Sequence, residues 1–223
     1  MSKKRELVNV IESYKGKQEG FASKVKEILK NGDLTQEGAE RRINELAGPF
    51  EEIAQNTHDK AIQILDDGIA ALEKKWRDNS TGKLKDSNYQ IGLANTIKMI
   101  ETGAITNRED FKNIIEVYKD DYNALATIKN LLGTDKDKLE LYTLIPKDNR
   151  EYNKKALKDL RNNIERYINP FNIKDSLSMN LQGMIDFIKT RLRDDLSIIP
   201  WEEVNKSDLN LGRVKLNDEL IDI

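Results

Sequence analysis

The sequence predicts an all-α protein, in which a long N-terminal helical hairpin or coiled-coil arm precedes a C-terminal bundle of four or five shorter helices. Apolar side chains recur every three or four residues through most of the 223-residue chain, which is the period of an amphipathic helix. Charged residues make up 34% of the chain and aromatic residues 6%, a composition that favours extended helices with narrow apolar faces. Alternating strand patterns are weak throughout, so we expect no sheet.

The first thirty residues carry the clearest helical pattern. Steps of four and three residues alternate between successive members of the set Leu7, Ile11, Tyr14, Gln18, Phe21, Val25 and Ile28. This spacing averages 3.5 residues and keeps one stripe facing a partner helix, as in a coiled coil. Asn31 and Gly32 follow, and both tolerate the left-handed backbone with which many helices end. The pattern therefore predicts one helix that ends near residue 30.

A second and longer helix is predicted from about Thr35 to Trp76. Its spacing continues as far as Trp76 except for one stutter, where Ile53, Thr57 and Ala61 follow each other in two steps of four, and Gly48-Pro49 is the other irregularity. Because proline lacks an amide donor and clashes with the preceding turn, we expect either a kink or a break there. At 1.5 Å per residue the two helices reach about 40 and 60 Å, so the first cannot cover the whole of the second.

The uncovered turns of the second helix need another partner, which is either the rest of the chain or a second subunit. We define the seam as the ten apolar residues of the two helices that are expected to form the buried stripe between helices. They are Leu7, Ile11, Phe21, Ile43, Leu46, Phe50, Ile53, Leu65, Leu72 and Trp76.

Three segments follow from this pattern. Residues 1–78 form the helical hairpin or coiled-coil arm, and the polar stretch 78–88 is the predicted boundary after it. Residues 86–195 carry shorter apolar repeats separated by Gly and Pro, which predict the helical bundle. Residues 196–223 have little helical pattern and form an acidic tail, in which Ile198, Ile199 and Trp201 are the expected docking residues.

Charge is distributed unevenly although the net charge is only −2. Residues 1–30 contain eight bases and four acids, whereas residues 194–223 contain three bases and eight acids. Two solvated ends are the preferred interpretation, and the alternative is that opposite charge at the two ends favours head-to-tail contacts between copies. The basic N-terminal helix also leaves open an alternative, in which the protein is an adaptor that contacts nucleic-acid phosphates.

The residue types needed for most catalytic and metal sites are scarce. The chain has no Cys and a single histidine, His58, which excludes cysteine nucleophiles, Cys-ligated metals and His-pair metal sites. Three carboxylate pairs are adjacent in sequence, and neighbouring helical residues point about 100° apart, so we expect solvated faces there. These pairs are Asp66-Asp67, Asp120-Asp121 and Asp194-Asp195. We therefore predict no catalytic residue, no metal ligand and no cofactor.

A stretch at the start of the second helix, LTQEGAERR over residues 34–42, leads into a long charged helix. This start, with the later stretch 97–132, resembles helical structural and morphogenesis proteins of tailed phages or prophages of Gram-positive bacteria. The resemblance covers residues 34–132 and implies a coiled coil with a small helical domain behind it. It carries no catalytic residue across. The acidic tail departs from those scaffolding proteins of the class whose C-terminal segment is basic.

The sequence therefore predicts a non-enzymatic structural or assembly protein, phage- or prophage-related, that acts through coiled-coil self-association or protein-partner binding. We expect a homo-oligomer located in the bacterial cytoplasm or in a virion. No apolar run approaches the roughly 20 residues of a membrane span, so no membrane contact is expected. A nucleic-acid adaptor is the first alternative. An all-α enzyme with inward-facing carboxylates on several helices is the second.

Overall fold

The prediction of an all-α protein is confirmed. A computed structural model describes residues 2–105, 107–133, 139–170 and 178–200. Within these ranges the chain forms eight α-helices and one short 3-10 helix over Thr81–Lys85, without a β-strand. The α-helices are α1 (Lys3–Lys30), α2 (Gln36–Asn79), α3 (Ser87–Glu101), α4 (Arg108–Tyr118), α5 (Tyr122–Leu132), α6 (Leu139–Thr143), α7 (Arg150–Tyr167) and α8 (Ser178–Arg191).

Local hydrogen bonds explain where the first two helices begin. The Ser2 hydroxyl accepts from the Arg5 amide at 3.2 Å and caps α1. After α1 ends at Lys30, the Thr35 hydroxyl accepts from the Gly38 amide at 3.2 Å, in the first turn of α2. Each bond satisfies an amide that has no partner inside its own helix. The predicted bounds of both helices therefore lie close to the observed ones.

Helix α2 runs without a break through Pro49 and continues to Asn79. Of the two outcomes expected at Gly48-Pro49, a division into two helices is therefore wrong. Proline removes one backbone bond to the carbonyl four residues earlier, but the packing of a long amphipathic face can outweigh that loss. The predicted end near Trp76 falls one turn short of the observed end.

The chain divides into two compact units that are not consecutive in sequence. The first comprises residues 1–70 together with 151–223, and the second comprises residues 71–150. This division differs from the predicted segments 1–78, 86–195 and 196–223. One boundary falls inside α2 rather than in the polar stretch 78–88, where the 3-10 helix forms. The shorter helices do not form one bundle, because α7 and α8 belong with α1.

In the first unit, α1 packs most closely against α8. The Lys189 ammonium on α8 pairs with Glu12 on α1 at 2.6 Å, and the Lys4 ammonium donates to the Lys189 carbonyl at 2.7 Å. Arg161 on α7 pairs with Asp66 on α2. The apolar faces of all four helices supply the buried core, which includes Leu7, Ile11, Leu65, Leu157, Ile164, Leu181 and Ile188.

The second unit holds the end of α2, the 3-10 helix and helices α3 to α6. Its core is formed mainly by α4 and α5, with Phe111 and Ile128 fully buried. Tyr89 and Tyr118 meet edge to face, with ring centroids 5.8 Å apart. Residues 121 and 133 bound α5, where the Asp121 side chain caps the first turn and Gly133 follows the last with a positive φ of 57°.

Candidate functional site

Most of the seam is buried within the chain. Seven of the ten seam residues are buried, namely Leu7, Ile11, Phe21, Ile43, Phe50, Leu65 and Leu72. The other three, Leu46, Ile53 and Trp76, are half-buried. The sequence left open whether the rest of the chain or a second subunit covers the second helix, and the rest of the chain covers Leu65 and Leu72. A second subunit is not needed to bury them.

Helices α1 and α2 form the predicted hairpin and run antiparallel. The Lys3 ammonium lies 3.2 Å from the Asp67 carboxylate at one end. Further along, the Phe21 and Phe50 rings stack with centroids 4.7 Å apart, and Tyr14 stacks on Phe50 at 5.7 Å. In each contacting pair the two residue numbers sum to between 64 and 71. A nearly constant sum is expected for antiparallel helices, because the residue number rises along one helix as it falls along the other.

Burial decreases beyond the aromatic stack, toward the loop that joins the helices. We call residues 22–49 the hairpin end. Only Ala39 and Ile43 are buried there. Val25, Ile28, Leu34 and Leu46 are half-buried, and Leu29 is 66% exposed. The hairpin end therefore has a single buried row, formed by Ala39 and Ile43, with half-buried residues on its flanks.

Charge at the hairpin end is balanced. It holds five bases and five acids. A shallow groove of about 460 Å³ is lined by four of these charged residues, Lys24, Glu27, Arg42 and Glu45, together with the half-buried Ile28 and Leu46. Because the signs alternate, a second copy or a partner of mixed charge meets no net repulsion here.

The basic start of α1 is already engaged inside the first unit. Lys3 pairs with Asp67 and Lys4 donates to the α8 backbone. A phosphate would have to compete with both contacts. The nucleic-acid alternative, which rested on this segment, therefore gains no support from the local geometry.

His58 lies half-buried on α2, where its Nδ1 is 3.0 Å from the Asp59 carboxylate. This hydrogen bond, with a second from Gln55, lowers the pKa of the exposed Asp59 carboxyl. Asp66 and Asp67 pair with Arg161 and Lys3 at the surface, as expected for a solvated face. Nothing in this arrangement brings a nucleophile to the imidazole.

The expectation of a solvated face is wrong for Asp121, which is only 4% exposed. One carboxylate oxygen accepts from the Asn123 and Ala124 amides, both at 3.1 Å, and the other accepts from the Tyr89 hydroxyl at 2.6 Å. Burial, followed by the bond to Asp121, raises the pKa of Tyr89 well above its usual range. The signal that sequence reasoning missed is that an Asp directly before a helical run is a strong N-cap.

The second alternative function, an all-α enzyme, requires carboxylates that point inward from several helices. Among the described residues, Asp121 is the one buried carboxylate, and its oxygens are occupied by hydrogen bonds. The same part of the chain contains no group of three or more His, Cys, Asp or Glu that could hold a metal ion. We find no geometry here that favours carboxylate catalysis.

Part of the predicted docking tail folds back onto the first unit. Ile198 is 4% exposed and its amide donates to the buried Asn153 side chain on α7 at 2.8 Å. Ile199 is half-buried, and its amide donates to the Arg191 carbonyl at the end of α8. Trp201 lies outside the described residues.

None of the described helices is both long enough and apolar enough to cross a bilayer. Comparison with known proteins gives no further assignment, since no family model, curated protein or solved structure matches this chain.

Proposed function

We propose that this chain is a non-enzymatic structural or assembly protein, and that it associates with further copies of itself through the hairpin end. The resemblance to phage and prophage morphogenesis proteins is consistent with such a role in the bacterial cytoplasm or a virion. The observation that carries the proposal is the incomplete coverage of residues 22–49, with Leu29 exposed beside half-buried Val25, Ile28 and Leu46.

A symmetric contact between two hairpin ends would cover these side chains. Each copy would add two helices, and the result would resemble the four-helix packing of other bundles. The balanced charges allow such a pair to form without net repulsion, while their alternation favours particular registers. This contact uses a small part of the seam, because the rest is buried within each chain.

The absence of cysteine from the sequence makes a direct test available, since one introduced thiol is unique. Leu29→Cys places it at the hairpin end, where Leu29 is 66% exposed. Val117→Cys is the matched control, because Val117 on α4 is 68% exposed and lies in the other unit. Under mild oxidation we expect disulfide-linked dimers to form at least ten times faster for Leu29→Cys than for Val117→Cys.

Light scattering on the unmodified chain gives a second readout. We expect the mass to rise above that of one chain as concentration increases, and Leu29→Glu to suppress the rise. Equal cross-linking rates for the two cysteine variants, together with the mass of one chain at every concentration, would refute self-association through this surface.

A further inference from the structure

The packing of α7 against α8 leaves an apolar groove of about 580 Å³ on the surface of the first unit. Leu160 and Met184 are buried at its floor, and Tyr152 and Met179 are 46% and 68% exposed at its rim. Gly183 lies on the wall that α8 contributes, where a Cβ atom would meet nothing within 4 Å. The groove therefore has an apolar floor, exposed apolar edges and room for an inserted side chain.

The described chain ends beside this groove. Residues 198 and 199 are held between the first turn of α7 and the last turn of α8 by the bonds to Asn153 and Arg191. Tyr152, at one end of the groove, precedes Asn153 directly, and Phe187 lies one helical turn before Arg191. Residues 198 and 199 therefore lie at the same end of α7 and α8 as the groove residues Tyr152 and Phe187.

The 23 residues that follow are long enough to occupy it. Along α7 the groove runs from Tyr152 to Tyr167, which corresponds to about 22 Å at 1.5 Å per residue. A segment of 23 residues spans about 34 Å even when it is fully helical. It also contains the apolar residues that such a groove would bury, namely Trp201, Val204, Leu209, Leu211, Val214, Leu216, Leu220, Ile221 and Ile223.

The net charges of helix α7 and of residues 201–223 have opposite signs. Helix α7 carries six bases and three acids, a net charge of +3, and of its charged residues Lys155 and Asp159 line the groove. Residues 201–223 carry three bases and six acids, a net charge of −3. Lys155 and Asp159 cancel within the groove lining, so the attraction arises from the opposite net charges of helix α7 as a whole and of this segment.

We propose that residues 201–223 dock in the α7–α8 groove of the same chain and cover its apolar floor. Trp201 is the first apolar residue of the segment in sequence. The groove is then an internal docking site rather than a surface for a second copy, and it is separate from the hairpin end.

Thiol accessibility in the full-length chain tests this proposal. Gly183→Cys puts a single thiol in the groove, and Gly16→Cys puts one on α1 at another exposed helical glycine with open space around it. We expect a water-soluble thiol reagent to label Gly183→Cys at least ten times more slowly than Gly16→Cys. Circular dichroism establishes that both variants keep the helical content of the parent.

The segment itself is then altered within the same full-length chain. Adding Trp201→Ala and Val204→Ser to Gly183→Cys is expected to restore labelling to within about threefold of the Gly16→Cys rate. The same additions to Gly16→Cys are expected to change its rate less than twofold. Protection of position 183 that is independent of protein concentration and lost in the altered segment supports the proposal.

Two outcomes would overturn it. Equal labelling of the two glycine variants in the otherwise unaltered chain would mean that the groove is open. Protection that persists in the altered segment would assign the groove to another occupant, and a dependence on protein concentration would identify that occupant as a second copy.

Discussion

A close approach between Gly68 on α2 and Leu196 gives the sharpest prediction about the first unit. Gly68 is buried, and Leu196 is fully buried with a positive φ of 65°. A Cβ atom built on Gly68 would lie 3.2 Å from Leu196 Cγ and would clash with Cδ1. Replacing this glycine by alanine must therefore displace a leucine that has no solvent-facing space to enter.

Two opposing effects determine the result of Gly68→Ala. Alanine in a helix interior gains about 1 kcal/mol over glycine. Overpacking a filled core costs roughly 1–3 kcal/mol. We therefore expect the free energy of unfolding to fall by about 1 kcal/mol. Gly20→Ala, at an exposed glycine of α1 with nothing within 4 Å of the added methyl group, should instead raise it by about 1 kcal/mol.

A double-mutant cycle isolates the contact. Leu196→Ala alone removes a fully buried side chain and should cost roughly 2–5 kcal/mol. In that background the clash is absent, so Gly68→Ala should change sign and stabilise the protein by about 1 kcal/mol. Urea unfolding followed by circular dichroism measures all four variants. The reasoning fails if Gly68→Ala stabilises the otherwise unaltered protein as much as Gly20→Ala does.

Three further predictions concern other contacts. Phe50→Ala removes the ring that stacks on Phe21 and Tyr14, so urea unfolding should show a loss of roughly 3–5 kcal/mol, whereas Leu29→Ala should cost less than about 0.5 kcal/mol. The pKa of Tyr89 is raised in the folded state, so above about pH 10 the unfolded chain loses this proton while the folded chain keeps it, and stability should fall as the pH rises. In alkaline melting curves this fall should be shallower for Tyr89→Phe. Asn153→Ala leaves the buried Ile198 amide without its acceptor and should cost roughly 1–3 kcal/mol in the same unfolding assay, and an unchanged midpoint would contradict that account.

Local patterns were sufficient for the helices but insufficient for their grouping. The seam spacing and the helix-ending and capping residues Asn31, Gly32, Asp33 and Thr35 predicted α1 and α2, because both signals depend on neighbours in sequence. The pairing of Glu12 with Lys189 joins residues 177 positions apart, and no local periodicity encodes it. The assignment of α7 and α8 to the same unit as α1 therefore required the three-dimensional structure.

The burial of Asp121 shows a second limit. An adjacent pair of acids on a helix surface is usually solvated, and Asp120 and Asp121 were interpreted in that way. The pair instead marks the short link between α4 and α5, where the second Asp caps a helix and accepts from a tyrosine 32 residues away. The capping half of that role was visible in sequence, and the tyrosine partner was not.

The same reasoning bounds the strength of the proposed self-association. An apolar spacing shows that side chains are buried but does not identify the surface that covers them, and most of the seam is covered within its own chain. What remains at the hairpin end is one exposed leucine per copy with half-buried neighbours. Fully burying a leucine contributes about 1.5–3 kcal/mol, so two copies gain roughly 3–6 kcal/mol from Leu29. Association itself costs an estimated 4–15 kcal/mol in lost freedom of motion. An isolated pair should therefore be weak, which is why covalent trapping is the primary test, and a stable assembly would require many such contacts at once.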